Sequence, residues 1–326
     1  MSDRLRCLAM PGSGFDTALM DAVVAAHAEG VAAAFLLRHG RTLGTALSTA
    51  LAPPWHVEHA SDALWDPAVG AVERLLETGE GDPVAAAEGL ARCLRRAGGP
   101  PEPAPERGPD PGPGPFGAAE SVPVNGSSLR LLPERAVRAQ LAIEDDFHSI
   151  VTFPEPTKEL ARFYADAVDL LRTRAPRYAR WVLRVLRSLV PCDSGASRTR
   201  SSSWREAPGT VLVSVSPDPA EVAEMLVHEA CHQYFYLARR LGDVTDPADT
   251  RQYHSPAVGR SRPLDKVLLA FHAFGNVRLL HEELGTPGVL DRMRRDTETL
   301  AAPLRGNPSV TPLGHALVDP LLERLS

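Results

Sequence analysis

Residues 224–240 read EMLVHEACHQYFYLARR, and inside them His228-Glu229-Ala230-Cys231-His232 sets two histidines and a glutamate in an apolar run. Whether this stretch is a helix decides the fold around it. Upstream, Ser216-Pro217-Asp218-Pro219-Ala220-Glu221 offers an N-cap, a proline at the first helical position and a glutamate three residues after Asp218, the pattern of a capping box. Downstream, Arg239 and Arg240 place cations at the negative end of the helix dipole, and Gly242 can take the left-handed conformation that closes a helix. The pattern predicts a helix running from residue 219 to residue 240. On it, His228 and His232 lie one turn apart on the same face, about 6 Å along the axis, close enough to share one metal ion. Glu229, one residue round, is placed to accept a hydrogen bond from bound water or to orient a ligand.

H-E-x-x-H alone is a common pattern, so its surroundings matter. Pro208-Gly209 is a turn signal, and TVLVSV at 210–215 is a β-branched run of strand length. Met225, Leu226, Val227, Tyr234 and Phe235 can wall the motif off from water. The metzincin extension would need glycine at 235 and histidine at 238; Phe235 and Ala238 exclude it. A second helix is predicted over 263–285, PLDKVLLAFHAFGNVRLLHEELG, with Leu268, Leu269, His272, Gly275, Asn276, Leu279 and Leu280 on one face. His272 is the expected third metal ligand, with Glu282, His254 and His315 as alternatives. Gly275 would let another helix approach closely.

Elsewhere the chain reads as two parts. Segment 98–115, GGPPEPAPERGPDPGPGP, is mostly proline and glycine, which blocks helix and sheet alike, so a linker or long loop is expected over 98–117. Before it, DTALMDAVVAAHAEGVAAAFLLRHG (16–40) and DPVAAAEGLARCLRRAGG (82–99) have helical periodicity, and residues 1–97 are read as an N-terminal helical unit. His27, His39, His56 and His59 in that unit lack metal spacing. After the linker, 118–326 is read as the metal-binding catalytic domain, with further helices at 156–175 and 176–189 separated by Pro176. The expected fold class is mainly α with a small β component (α+β), with a zincin-like strand-then-HExxH-helix arrangement.

Composition narrows the function. With 326 residues, a net charge of −6 and no run of five Lys or Arg, nothing points to nucleic acid or an anionic membrane. No apolar run approaches the roughly 20 residues of a membrane span, and the first residues carry acids unsuited to a signal peptide, so a cytoplasmic location is expected. Cys7, Cys93, Cys192 and Cys231 are far apart, which argues against both a zinc ribbon and a disulfide framework.

Three ordered motifs, SSSW–PGTVLVS (201–214), AEMLVHEACHQ (223–233) and YHSPAVGRSRPLDKVLLAFHAF (253–274), resemble the HExxH-motif peptide-modification family, the α-ketoglutarate-dependent HExxH-type peptide β-hydroxylases. The likeness runs over 197–284. It departs from some relatives at Leu269, where they carry a histidine, and at Ala257-Val258, where they carry Trp-Arg. The resemblance implies an iron(II) and α-ketoglutarate (2-oxoglutarate)-dependent dioxygenase that uses O2 to β-hydroxylate a residue of a ribosomally made precursor peptide. Iron would sit on His228, His232 and His272, with Glu229 holding the surrounding geometry. The distal carboxylate of α-ketoglutarate calls for a fork-like cation, for which Arg262 and then Arg260 are best placed in sequence. The competing reading is a zinc metallopeptidase with Glu229 as general base; a third is a non-catalytic protein whose metal pins two helices. The N-terminal unit would recognise the leader of the precursor peptide or form a homodimer face.

Overall fold

A computed structural model describes residues 2–12, 17–40, 43, 51, 67–79, 81–98, 122–124, 129–138, 151–195, 200–205 and 207–326. His56, His59 and all of the 98–117 segment except Gly98 lie outside them. In chain order the elements are α1 (Ser2–Ala9), α2 (Thr17–His39), α3 (Pro67–Thr78), α4 (Pro83–Gly98), β1 (Val122–Pro123), β2 (Arg130–Leu131) and α5 (Arg135–Arg138). Then follow α6 (Lys158–Arg174), α7 (Pro176–Val185), β3 (Ser188–Cys192), β4 (Ser201–Ser203), β5 (Thr210–Ser214) and α8 (Pro219–Arg239). The chain closes with β6 (Gln252–Ser255), β7 (Arg260–Pro263), α9 (Leu264–Leu284), α10 (Pro287–Ala301) and α11 (Pro312–Leu325). The protein is mainly α with a small β component, as its sequence predicts, and no helix is long and apolar enough to cross a membrane.

The sheet that carries the site has strand order β1-β2-β3-β5-β4. β3 and β5 run parallel, Ser188 opposite Thr210 through Cys192 opposite Ser214, while β4 lies antiparallel on the outer side of β5. β5 is buried along its whole length. Its side chains alternate: Val211 and Val213 join Leu189 in the main core, and Leu212 joins Val190 and Cys192 in a smaller core on the opposite face. The sequence reading carries the second helix of the 156–189 region to residue 189, but it stops at Val185 and Ser188–Cys192 is strand. Short apolar runs fit either element by periodicity, and here parallel pairing to both neighbours decides.

α8 begins as its sequence demands, with one difference in the cap. The Asp218 carboxylate accepts from the Ala220 N–H at 2.8 Å. Glu221, however, accepts from the Ser216 hydroxyl at 2.7 Å, and that hydroxyl in turn takes the Asp218 N–H at 3.1 Å, so a serine relay replaces the capping box. The helix ends at Arg239 with Arg240 as its C-cap in right-handed conformation, rather than at a left-handed Gly242. α9 ends as predicted on a left-handed Gly285, φ 70°. Buried polar side chains lock α8 in place. Gln233 accepts from the Gly209 N–H at 2.9 Å, and the Tyr234 hydroxyl donates to the Trp181 carbonyl at 2.8 Å, its ring stacked on Trp181 with centroids 4.3 Å apart. At Gly275 the C-terminal helix does come close: a Cβ there would lie 3.2 Å from Leu325 and 3.5 Å from Leu321. The four cysteines are buried thiols, none in a disulfide.

α1 packs against α8 and α11, with Leu8 and Ala9 fully buried. Trp181 donates its indole N–H to the Cys7 carbonyl at 2.9 Å, and His272 Nε2 and Asn276 Nδ2 both donate to the Ala9 carbonyl at 2.8 Å. These residues belong to the core of the C-terminal half. α3 packs on α2 and α4 and meets the end of α8 through ions: Glu73 lies 3.4 Å from both His27 and Arg240 and 4.0 Å from Arg205, and Glu77 pairs with Arg205. The Arg240 and Glu73 side chains are 9% and 15% exposed. Glu73→Ala is therefore expected to lower stability by about 3 kcal/mol, because it takes the carboxylate away from a nearly buried guanidinium that keeps neutral contacts such as the Arg205 carbonyl. Burial would raise the Glu73 carboxyl, but the His27 and arginine partners outweigh it and hold it below its usual value, while burial depresses His27. A depressed histidine costs stability once the unfolded chain protonates below about pH 6.5, and a depressed carboxylate loses its contribution below about pH 4.5. Thermal melts at pH 7.5, 5.5 and 4 should show both steps in the parent; the lower one should shrink in Glu73→Ala.

Candidate metal centre

His228, Glu229 and His232 come together on the middle of α8, their ligand atoms all within 4.8 Å of one another. The imidazole centroids of His228 and His232 are 4.5 Å apart at an interplanar angle of 63°. Burial, and next to it the neighbouring His232, pushes His228 down to about 4, so it is a neutral imidazole with a lone pair to offer at pH 7. Glu229 is 1% exposed. Burial would raise its carboxyl, but His232, His228 and the Ser201 hydroxyl more than offset that and hold it at about 2. Its Oε2 is buried, receives no well-formed hydrogen bond, and lies 3.3 Å from His232 Nδ1.

This donor set fits a divalent metal. A neutral His228 imidazole, the His232 imidazole one turn on, an ionised carboxylate and a buried acceptor atom with unmet demand form a site that a cation completes. The Glu229 oxygen facing His232 Nδ1 favours a proton on that nitrogen and leaves Nε2 available, the arrangement in which a carboxylate behind a histidine sets its tautomer. His228 and His232 would hold the ion, which would supply a Lewis acid and a place to bind oxygen donors.

The structure does not gather His272 with them. Its ring, fully buried, is turned toward α1, with Nε2 on the Ala9 carbonyl and its edge toward Trp181 at 6.3 Å between centroids. Burial pushes it down to about 4. Its Nε2 is held by the Ala9 carbonyl while its buried Nδ1 has no hydrogen-bond partner, and the expected third ligand is not gathered with the other two. Nor do the alternatives join the cluster: Glu282 pairs with Arg278 at 3.1 Å, His315 with Asp319 at 3.1 Å, and His254 is exposed on β6. Among the described residues His228, Glu229 and His232 form the group that could hold a metal ion.

A cleft of about 440 Å³ opens beside His228. Ser201 of β4, Glu224 and Met225 of α8, Phe274 and Val277 of α9, and Arg292, Met293 and Asp296 of α10 line it, with Pro256 and Ala257 from the β6–β7 turn. Arg260 and Arg262 stand on β7, Arg262 opposite Tyr253, and neither lines the cleft. Their expected place as the carboxylate anchor is not met by geometry, because the hairpin presents its turn to the cleft and its strands elsewhere. Glu224 is fixed from behind by His281 Nε2 at 2.9 Å, and His281 Nδ1 lies 2.7 Å from the Thr286 hydroxyl. Sequence reasoning passed over Glu224, although it sits one turn before His228 on the same face, a spacing visible in E-x-x-x-H-x-x-x-H. Arg292, Met293 and Asp296 carry no comparable signal. No protein-family model matches the chain, and no curated protein matches it.

Proposed function

We propose that this chain is an iron(II) and 2-oxoglutarate-dependent oxygenase that hydroxylates a side chain of a peptide, acting in the cytoplasm on a precursor peptide. One observation carries the reading: His228 and His232 stand on a single helical turn, no third histidine or cysteine joins their ligand group among the described residues, and His228 lines a cleft. So few protein ligands leave room for a bidentate 2-oxoacid and for dioxygen, the requirement of non-haem iron oxygenases. When bound, the metal supplies the redox chemistry: 2-oxoglutarate gives up two electrons and CO2 to become succinate, and one oxygen atom of O2 goes to each product. The chain's residues do the rest. His228 and His232 hold the ion, Glu229 orients His232, and Met225, Phe274, Val277 and Met293 supply an apolar wall that excludes water and positions the substrate carbon.

The buried, ionised Glu229 also suits a zinc peptidase, in which it would take the proton of a metal-bound water. An anaerobic titration separates the two. Iron(II)-reconstituted protein should develop a saturable visible charge-transfer band with 2-oxoglutarate, absent in His228→Ala. No band, together with zinc retained through purification, would move the assignment to the peptidase.

A further inference from the structure

Resting on the oxygenase reading, we propose that Arg292 is the residue that receives the distal carboxylate of the 2-oxo diacid. Arg292 is the cation that lines the cleft beside His228. Many of its fellows are committed elsewhere: Arg177 to Glu283, Arg205 to Glu77, Arg239 to Asp265, Arg251 to Asp249, Arg278 to Glu282 and Arg305 to Glu298. Arg292 forms no ion pair among the described residues, not even with Asp296 one turn along the same helix. An exposed guanidinium that lines a cleft offers its planar fork to a carboxylate from outside.

The rest of the cleft fixes which way such a ligand lies. Met225, Phe274, Val277 and Met293 offer contact surface for the two methylenes between the oxoacid end and the distal carboxylate. Apart from His228, the other ionisable groups on the wall, Glu224 and Asp296, are acids and repel an anionic end. Glu224 is already engaged by His281. The metal ion and Arg292 are thus the two cationic points of the cleft, one for each end of a 2-oxo dicarboxylate. A monocarboxylic 2-oxoacid such as pyruvate would use the first and leave the second unfilled.

The test compares 2-oxoglutarate with pyruvate by their charge-transfer bands on the anaerobic iron(II) protein, a binding readout that needs no peptide and no turnover. The unmodified protein should bind 2-oxoglutarate about 10- to 100-fold more tightly than pyruvate, the range of a charge-assisted pair. Arg292→Gln should bring 2-oxoglutarate down to the pyruvate affinity and leave pyruvate unchanged, and Arg292→Lys should restore part of the difference. Arg260→Gln and Arg262→Gln should behave as the parent. A band that forms normally while Arg292→Gln keeps its preference for 2-oxoglutarate overturns the role of Arg292 and leaves the oxygenase reading standing. No band with either oxoacid overturns both.

Discussion

A chain lacking residues 2–12 should fail to fold cooperatively, although these residues lie more than 200 positions from the histidine helix and carry no motif. Their removal takes two carbonyls away from three buried donors, the Trp181 indole, His272 Nε2 and Asn276 Nδ2. Each of these hydrogen bonds, exchanged for water, costs about 0.5–1.5 kcal/mol. Leu8, fully buried, adds about 2–3 kcal/mol of lost apolar burial, and the groove between α8 and α11 is left open to water. The sum is comparable with the lower end of the roughly 5–15 kcal/mol that holds a typical domain together. Far-UV circular dichroism with thermal melting should show a broad, early transition for the truncated chain. Arg6→Ala, which removes only the exposed pair with Glu323, should melt within a few degrees of the parent, since exposed pairs contribute under about 1 kcal/mol. A sharp melt at the parental temperature in the truncated chain would refute the docking of α1. The result also governs any test of leader recognition by the N-terminal helices: a deletion of residues 1–97 would break the core around α8, so α1 must be kept.

What could be read in the sequence follows from which signals are local. Asp218-Pro219 and Gly285 mark helix ends through their own backbone chemistry, and α8 and α9 fall where those residues put them. The fully buried β5 declares itself by a β-branched run after a glycine turn. The orientation of a helix buried on all sides is a different matter. α9 has Leu264, Val267, Leu268, Phe271, Val277 and Leu280 inside, around its whole circumference, so periodicity cannot say which neighbour each face meets. His272 is buried, as its apolar surroundings predict, yet it faces α1 rather than α8's histidines, and it is Phe274, two residues on, that stands 6.1 Å from His228. The partner that claims His272 is the Ala9 carbonyl, 263 residues away in the chain, and a backbone acceptor has no signature in residue type. The same blindness hid Arg292: an arginine on a polar helix reads as solvated surface until α10 is seen to close the cleft.

Metal binding should depend almost wholly on the two histidines and only in part on the carboxylate between them. Calorimetric titration of the metal-free protein with zinc(II) or iron(II) should give one equivalent in the parent. His228→Ala or His232→Ala should weaken it by at least about 10³-fold, because each removes one of the two imidazoles and leaves the rest of the coordination to water. Glu229→Gln should cost only about 10- to 100-fold, the range for losing a group that orients a ligand. Its oxygen faces the nitrogen of His232 that the metal does not need, and an amide oxygen can still accept there. The same experiment reads out as stability. A metal at 100 times its dissociation constant adds about 2.7 kcal/mol to the folded state, so the parent and Glu229→Gln should gain melting temperature on metal addition and the two alanine variants should not. If Glu229→Gln loses as much affinity as His232→Ala, the carboxylate is itself a ligand, the site is a two-histidine, one-carboxylate set on a single helix, and Glu229 could no longer serve the peptidase reading as a free base.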